Sequence, residues 1–182
     1  MKHCLCLLLA SIFAAGCATT DLDVADSDIS DIDFIHEVHP RFDLGNYGSY
    51  DWVASTNLLY DPQGKWEPPE FDLDDEIRFL IDTELRSHGL IQSSNGPDLL
   101  ASFNVAIQMD ELPFNRDPNE EMPVIENVQQ GALVITLTDP DLDYPVWVGL
   151  AAADISAAPE VELARKRLSY VVSNLLLSLP DN

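Results

Sequence analysis

The clearest pattern along the chain is the alternation of apolar and polar residues between Leu99 and Met109. Every odd-numbered residue of this segment is apolar, and the even-numbered positions include Ser102, Asn104 and Gln108. Side chains of a β-strand alternate between its two faces, so this period predicts a strand with one apolar and one polar face. The polar face predicts a sheet that is covered on one side and wet on the other.

Two segments carry the period of an amphipathic helix. The first begins at Asp72, a favourable N-cap residue, and ends at Gly89, a favourable C-terminal residue. Its apolar stripe consists of Leu73, Ile77, Leu80, Ile81 and Leu85. The second helix is expected to begin at Pro159, to carry an apolar stripe from Leu168 to Leu179, and to end at Pro180.

The remaining alternating segments predict shorter strands. They span residues 33–42, 50–53, 124–138 and 146–150. Residues 54–71 are rich in proline and predict a loop, and a bend or bulge is expected at Gln129–Gly131. The resulting order, β-β-α-β-β-β-α, predicts an α+β domain with a largely antiparallel β-sheet and two helices packed on one face.

The first residues have the layout of a cleavable secretory signal. A cationic start at Lys2 precedes an apolar run of about 11 residues, too short to cross a bilayer of about 30 Å as a helix. The run closes on Ala14–Cys17, which resembles the lipobox of bacterial lipoproteins. The resemblance implies cleavage before Cys17 and lipidation of that residue. A secretory signal that is cut elsewhere, leaving Cys17 unmodified, is the alternative.

These observations predict three parts of the chain. Residues 1–16 are the lipoprotein signal peptide, residues 17–32 are the lipidated Cys17 with an acidic tether, and residues 33–182 form a single α+β domain. By analogy with the enteric sorting rule, Ala18 favours the outer membrane, with the domain on its periplasmic face. A calcium loop in the tether is disfavoured because its spacing lacks the required glycine.

Charge limits the kinds of partner that the chain can take. It has 9 Lys and Arg against 32 Asp and Glu, a formal net charge of -23. Such a field repels nucleic acid, so no nucleic-acid partner is expected. Two interpretations remain open: a surface that attracts cations or a basic partner, and an acidic surface that is only solvated.

Few residues suggest a site. Asp139, Asp141 and Asp143 could offer oxygens to a hard cation and are weak metal candidates, although a hairpin turn explains them as well. His36 and His39 lack the spacing of a zinc-binding helix. Trp66, in the proline-rich segment, is the tryptophan most available to a partner.

Catalytic motifs are absent from the sequence. It contains no G-x-S-x-G elbow and no glycine-rich phosphate loop, and lipidation of Cys17 would leave the mature chain without a thiol. Acidic residues are so abundant that any chosen pair of carboxylates is uninformative. We therefore expect no enzyme activity, no catalytic residue and no cofactor.

Several short motifs together resemble a family of Gram-negative lipoproteins known as a domain of unknown function. They are the lipobox, the Tyr50-x-Trp52 strand, the helix ending in Gly89, the Pro97–Leu100 segment, the Gly131–Ile135 run that leads to Asp139, and Val146-Trp147-x-Gly149. The resemblance covers roughly residues 33–180. Family members usually carry arginine where this chain has Val148. The resemblance implies location and fold and no activity.

The sequence thus predicts a lipid-anchored periplasmic lipoprotein that acts as a binding or assembly module of the cell envelope. Its expected partners are the membrane, through the lipid anchor, and an envelope protein that contacts the open face of the sheet or an edge strand. Two alternatives remain: an envelope hydrolase that uses carboxylates, and a purely structural lipoprotein.

Overall fold

The described part of the chain contains seven strands, two α-helices and one short 3-10 helix, Leu44–Asn46. The computed structural model describes residues 32–53, 58–60, 69–109, 128–142, 144–153 and 160–180. The elements are β1 (Ile32–Val38), β2 (Ser49–Trp52), β3 (Leu58–Tyr60), α1 (Leu73–Ser87), β4 (Ile91–Gln92), β5 (Leu99–Met109), β6 (Val128–Thr138), β7 (Pro145–Ala153) and α2 (Val161–Leu176). The predicted α+β class is confirmed.

All seven strands belong to one mixed sheet. Their order is β1-β7-β6-β5-β2-β4, and β3 pairs with β5 beyond the end of β2. The long ladders β1–β7, β7–β6 and β6–β5 are antiparallel. The shorter pairs β2–β5, β3–β5 and β2–β4 are parallel. The sheet is therefore largely antiparallel, as predicted.

Helix α1 is bounded by the residues that the sequence indicates. The Asp72 carboxylate accepts the N–H of Asp75 at 3.2 Å and so caps the first turn. At the other end Gly89 has φ 86°. Its N–H and that of Leu90 donate to the carbonyls of Arg86 and Leu85. These paired bonds form a Schellman motif, in which glycine accepts the left-handed conformation without a steric penalty.

The main core lies between both helices and one face of the sheet. The predicted stripe of α1 is confirmed, with Ile77, Ile81 and Leu85 fully buried. The stripe of α2 is confirmed as well, and its buried members are Val172, Leu175, Leu176 and Leu179. These side chains meet the odd-numbered face of β5 and the matching positions of β6 and β7. None of the helices in the described residues is long and apolar enough to cross a membrane.

The other face of the sheet is buried in its middle, so the prediction that this face is wet is wrong. On that face Val134, Val148 and Leu150 are fully buried and form a second apolar cluster with Ala106. The prediction was based on β5 alone, where the polar residue Ser102 lies on this face and hydrogen-bonds to Thr136. Strands β6 and β7 carry apolar residues on both faces, and runs of this kind are typical of strands buried on both sides.

Smaller differences concern the ends of elements. The predicted loop at 54–71 contains β3, and β4 is a strand that the sequence pattern does not indicate. Helix α2 begins at Val161, and Pro159 lies outside the described residues. The predicted irregularity near Gln129–Gly131 is confirmed, because the β5–β6 register shifts between Ile107 and Met109.

A tryptophan and a glycine pack together at the centre of β7. The Trp147 side chain is fully buried, and an ideal Cβ built on Gly149 would lie 2.5 Å from its Cη2 atom. The same Cβ would lie 3.3 Å from Leu175 of α2. The Val-Trp-x-Gly motif is thus a packing motif, in which the indole occupies the space above a residue without a side chain.

Candidate functional site

One edge of the sheet is the strand β1. It pairs with β7 along its whole length, and within the described ranges no strand lies on its other side. The four residues Asp33–His36 are exposed. An edge strand presents main-chain donors and acceptors that another extended chain can use. The opposite edge is formed by β4, which has only two residues.

The hydrogen-bond pattern determines which backbone groups of β1 point outward. The N–H of His39 donates to the carbonyl of Val146 at 2.8 Å, and this pair continues the β1–β7 register. Bonded and non-bonded pairs alternate along an antiparallel ladder. Counting back from His39, Ile35 directs its N–H and C=O toward β7. Phe34 and His36 direct theirs away from the sheet.

Exposed apolar side chains flank these outward groups on both faces. Phe34 is 37% exposed and packs edge-on against Tyr170 of α2, with ring centroids 6.1 Å apart. Ile35 is 41% exposed and faces Leu150 across the ladder. Leu150 in turn faces Val134, so an apolar row that is buried in the middle of the sheet becomes exposed at β1. The edge of β1 therefore combines backbone hydrogen-bonding groups with apolar contact area.

The acidic segment between β6 and β7 forms a hairpin turn, in which the N–H of Leu142 donates to the Asp139 carbonyl at 2.9 Å. The Asp139 carboxylate accepts the Tyr47 hydroxyl at 3.2 Å and the Asp141 N–H at 2.9 Å. Burial, together with the nearby Asp139 charge, raises the pKa of Tyr47. Asp143 lies outside the described residues, and the described ones contain no group of three or more potential metal ligands. The sequence names these aspartates only as weak candidates and predicts no metal site, and this prediction stays untested.

The two histidines near β1 occupy different environments. His36 is exposed, whereas His39 is buried, and its ring stacks on Tyr144 at a centroid distance of 5.5 Å. Nδ1 of His39 accepts the N–H of Arg41 at 3.2 Å. His39 therefore stabilises the corner after β1 through its ring and its backbone.

The Tyr-x-Trp motif attaches α1 to the sheet. The Tyr50 hydroxyl and the Trp52 indole N–H both donate to Oδ1 of Asp82, at 2.5 and 3.1 Å. The Arg78 guanidinium lies 4.6 Å from the centre of the Trp52 ring. Burial, reinforced by the bond to Asp82, strongly raises the pKa of Tyr50. Sequence reasoning missed Asp82. The available signal was its spacing of four residues from Arg78, which places both on one side of the helix.

A carboxylate at the start of β5 is relevant to the hydrolase alternative. Asp98 accepts the N–H groups of Gly48 and Ser49, each at 2.9 Å, and the Ser49 hydroxyl at 2.8 Å. The Gly48 and Ser49 bonds hold the pKa of this carboxyl below its ordinary value. A general acid needs a raised pKa. The Asp98 environment is therefore suited to holding β2 and β5 together and unsuited to proton donation.

Other predicted features lie outside the described residues. They are Cys17 with the signal peptide and most of the tether, Trp66, and Asp143. The lipid anchor and the proposed membrane contact accordingly stay predictions.

Fold and site together define a mixed-sheet α+β domain with an exposed edge strand. The family described as Domain of unknown function (DUF4136) matches residues 36–180, and the chain belongs to this family. The resemblance to a domain of unknown function is confirmed over almost the expected range. No curated protein is significantly similar to the chain.

Several solved structures are similar to the chain at low sequence identity. A DUF4136 family protein from Bacteroides thetaiotaomicron is 11% identical with a TM-score of 0.53, covering 80% of this chain and 97% of its own. The PelC dodecamer from Paraburkholderia phytofirmans is 11% identical with a TM-score of 0.49, and the match covers 83% of this chain and 99% of the PelC chain. A minor lipoprotein from Acinetobacter baumannii is 11% identical with a TM-score of 0.31, and the match covers 74% of this chain and 90% of the lipoprotein chain. Of these three, only the Bacteroides protein has a TM-score above 0.5, and at 11% identity this similarity shows the fold alone.

The position that usually holds arginine in the family lies on the second face of the sheet. Val148 is fully buried there and pairs in register with Glu37 of β1, which is 5% exposed. An arginine at position 148 would therefore stand directly across the ladder from Glu37, on the same face of the sheet. In this chain the position contributes apolar packing instead.

Proposed function

We propose that this protein is a lipid-anchored lipoprotein on the periplasmic face of the outer membrane, and that its domain is a binding or assembly module. The observation that carries the second part is the edge of β1, where outward backbone groups lie between the exposed side chains Phe34 and Ile35. Membership of the DUF4136 family is compatible with this proposal and adds no activity to it.

The anchor part of the proposal has a simple physical basis. Each buried methylene of an acyl chain contributes about 0.8 kcal/mol, and one chain gives only reversible attachment. Two or three chains on Cys17 would hold the protein at the membrane permanently. The acidic tether would keep the domain away from the headgroups, because its aspartates repel one another and favour an extended chain.

The anchor is tested with two cysteine variants of the full chain. Cys17→Ala is expected to release the protein from sedimented membranes, and the matched control Cys6→Ala, within the signal segment, is expected to remain there. Intact-mass measurement of the mature N-terminus should show acylated Cys17 as the first residue. An unacylated N-terminus, or Cys17→Ala protein that still sediments, would contradict the proposal.

The binding part is tested by crosslinking in cells. A photoreactive amino acid is placed at Ile35 on the β1 edge or, as control, at Phe79, an apolar residue of α1 that is 66% exposed. Position 35 is expected to give a discrete adduct with an envelope protein that position 79 does not give. Identical adducts from both positions, or none from position 35, would refute a binding role for this edge.

A further inference from the structure

We infer that the outer edge of β1 binds an extended, positively charged segment of a partner protein, which joins the sheet as an additional strand. This inference rests on the proposed binding function and specifies the chemistry of the partner. Three features of the described residues carry it: the outward backbone groups, the apolar side chains on both faces, and the charge of the chain.

The backbone of β1 supplies a complete hydrogen-bonding ladder. The register with β7 has no shift between Ile32 and Val38. The same alternation that turns Phe34 and His36 outward therefore also turns Ile32 and Val38 outward. These four residues offer N–H and C=O groups at the regular spacing that strand addition requires, and main-chain bonds of this kind supply affinity without a defined pocket.

The side chains favour an added strand that is apolar at its centre. A residue opposite Phe34 would lie beside the Phe34–Tyr170 ring pair. A residue opposite Ile35 would extend the apolar row that runs from Val134 through Leu150. Cross-strand apolar pairs of this kind contribute to sheet stability in addition to the backbone bonds.

Charge favours a cationic partner over a second copy of the chain. The chain carries a formal charge of -23, so two copies repel each other, whereas the same field attracts a basic segment. Asp33, exposed near one end of the edge, would face a basic side chain of the added strand.

The test uses the full-length lipidated protein in detergent and a labelled peptide of sequence KVTTVVKVK. Its charge-reversed counterpart EVTTVVEVE is the matched control, and fluorescence anisotropy measures both affinities. The cationic peptide is expected to bind at least about tenfold more tightly than the acidic one. Equal affinities for the two peptides, or no binding of the cationic peptide, would overturn the inference.

Two variants examine whether the backbone edge is used. His36→Pro removes one outward N–H and leaves the bonds to β7 intact, since proline is tolerated where its nitrogen faces solvent. It is expected to weaken binding of the cationic peptide by about tenfold, and His36→Ala by less than about twofold. Unchanged affinity of a folded His36→Pro protein would overturn the inference.

Hydrogen exchange on the unmodified protein keeps the test independent of that variant. The peptide is expected to slow exchange of the outward amides of Phe34 and His36. Protection at β4 alone, or association of the protein with itself in place of peptide binding, would contradict the inference. An Ile35 crosslink to an envelope protein without peptide binding would refute only the cationic strand. If the Ile35 crosslink and the peptide binding were both absent, the proposed function would be refuted as well.

Discussion

The substitution Gly149→Ala tests the packing at the centre of β7. The added methyl carbon would lie 2.5 and 3.0 Å from two atoms of the Trp147 indole and 3.3 Å from Leu175. Trp147 is fully buried, so its ring cannot move into solvent to make room. The clash must be relieved by shifting the indole, β7 or α2, each of which disturbs the main core.

The expected cost is the difference of two effects. Overpacking of a core by a methyl group costs about 1–3 kcal/mol. Replacing glycine by alanine within a strand ordinarily gains roughly 0.5–1 kcal/mol, because glycine loses more backbone freedom on folding. The difference between the two ranges is about 0–2.5 kcal/mol. Because the added methyl would lie only 2.5 Å from a fully buried ring, we expect Gly149→Ala to lower the free energy of unfolding by an amount in the upper half of this range, about 1–2.5 kcal/mol. For a domain of this size each kcal/mol lowers the Tm by about 2–4 °C.

Urea unfolding measures this change, and Gly48→Ala is the matched control. An added Cβ at Gly48 meets only the Asp98 carboxylate, at an ordinary contact distance of 3.8 Å, so this variant should lose no stability through a clash. Combining Gly149→Ala with Trp147→Phe should reduce the cost of the alanine, since the smaller ring vacates the contested space. Equal stability of the two alanine variants, or simple additivity with Trp147→Phe, would refute the reasoning.

Three further predictions concern other parts of the structure. Leu150→Ala, in the buried second face, is expected to lower the free energy of unfolding by about 2–5 kcal/mol in urea, and a loss below about 1 kcal/mol would contradict burial there. Tyr50→Phe removes a donor to Asp82 and is expected to cost about 0.5–1.5 kcal/mol in the same assay. The pKa of Asp98 is lowered below its ordinary value of 3.8, so its carboxylate stabilises the folded chain above that value, and the contribution is lost as the pH falls through the folded pKa. Asp98→Asn should therefore lower the urea midpoint at neutral pH. The difference in urea midpoint between this variant and the unmodified protein should become smaller in acid.

Local signals explain why α1 was predicted almost to the residue. Asp72 caps the helix through its own side chain, and Gly89 ends it because the Schellman motif requires a positive φ. Both effects depend on neighbours within a few residues, which a sequence pattern contains. The alternation of β5 is equally local. These features were predictable because no distant part of the chain decides them.

The features that were missed depend on distant partners. Strand β3 lies in a proline-rich stretch and is defined by its pairing with β5, which is more than forty residues away at the paired positions 58 and 104. The apolar runs at Leu133–Ile135 and Val146–Leu150 indicate a sheet that is buried on both faces. The prediction of a wet face followed the polar positions of β5 instead. The exposed edge of β1 follows from strand order, and no local pattern predicts which strand is outermost.

Strand β7 connects the stability of the domain with its proposed binding edge. It places Trp147 in the same core cluster as Leu175 of α2, buries Leu150 on the second face, and holds β1 in register. Because the outward groups of β1 belong to β1 alone, stability and binding should respond to different substitutions. Gly149→Ala is expected to lower the unfolding midpoint and to leave the affinity of the folded protein for KVTTVVKVK within about twofold.

His36→Pro should show the opposite result, with binding weakened and the unfolding midpoint little changed, since the lost N–H faces solvent. Urea unfolding and peptide anisotropy on both variants measure the two effects together. If both variants lowered stability and affinity in proportion, the edge would be acting only through the stability of the sheet. The separation of the two effects is therefore the property that distinguishes a docking strand from a structural edge.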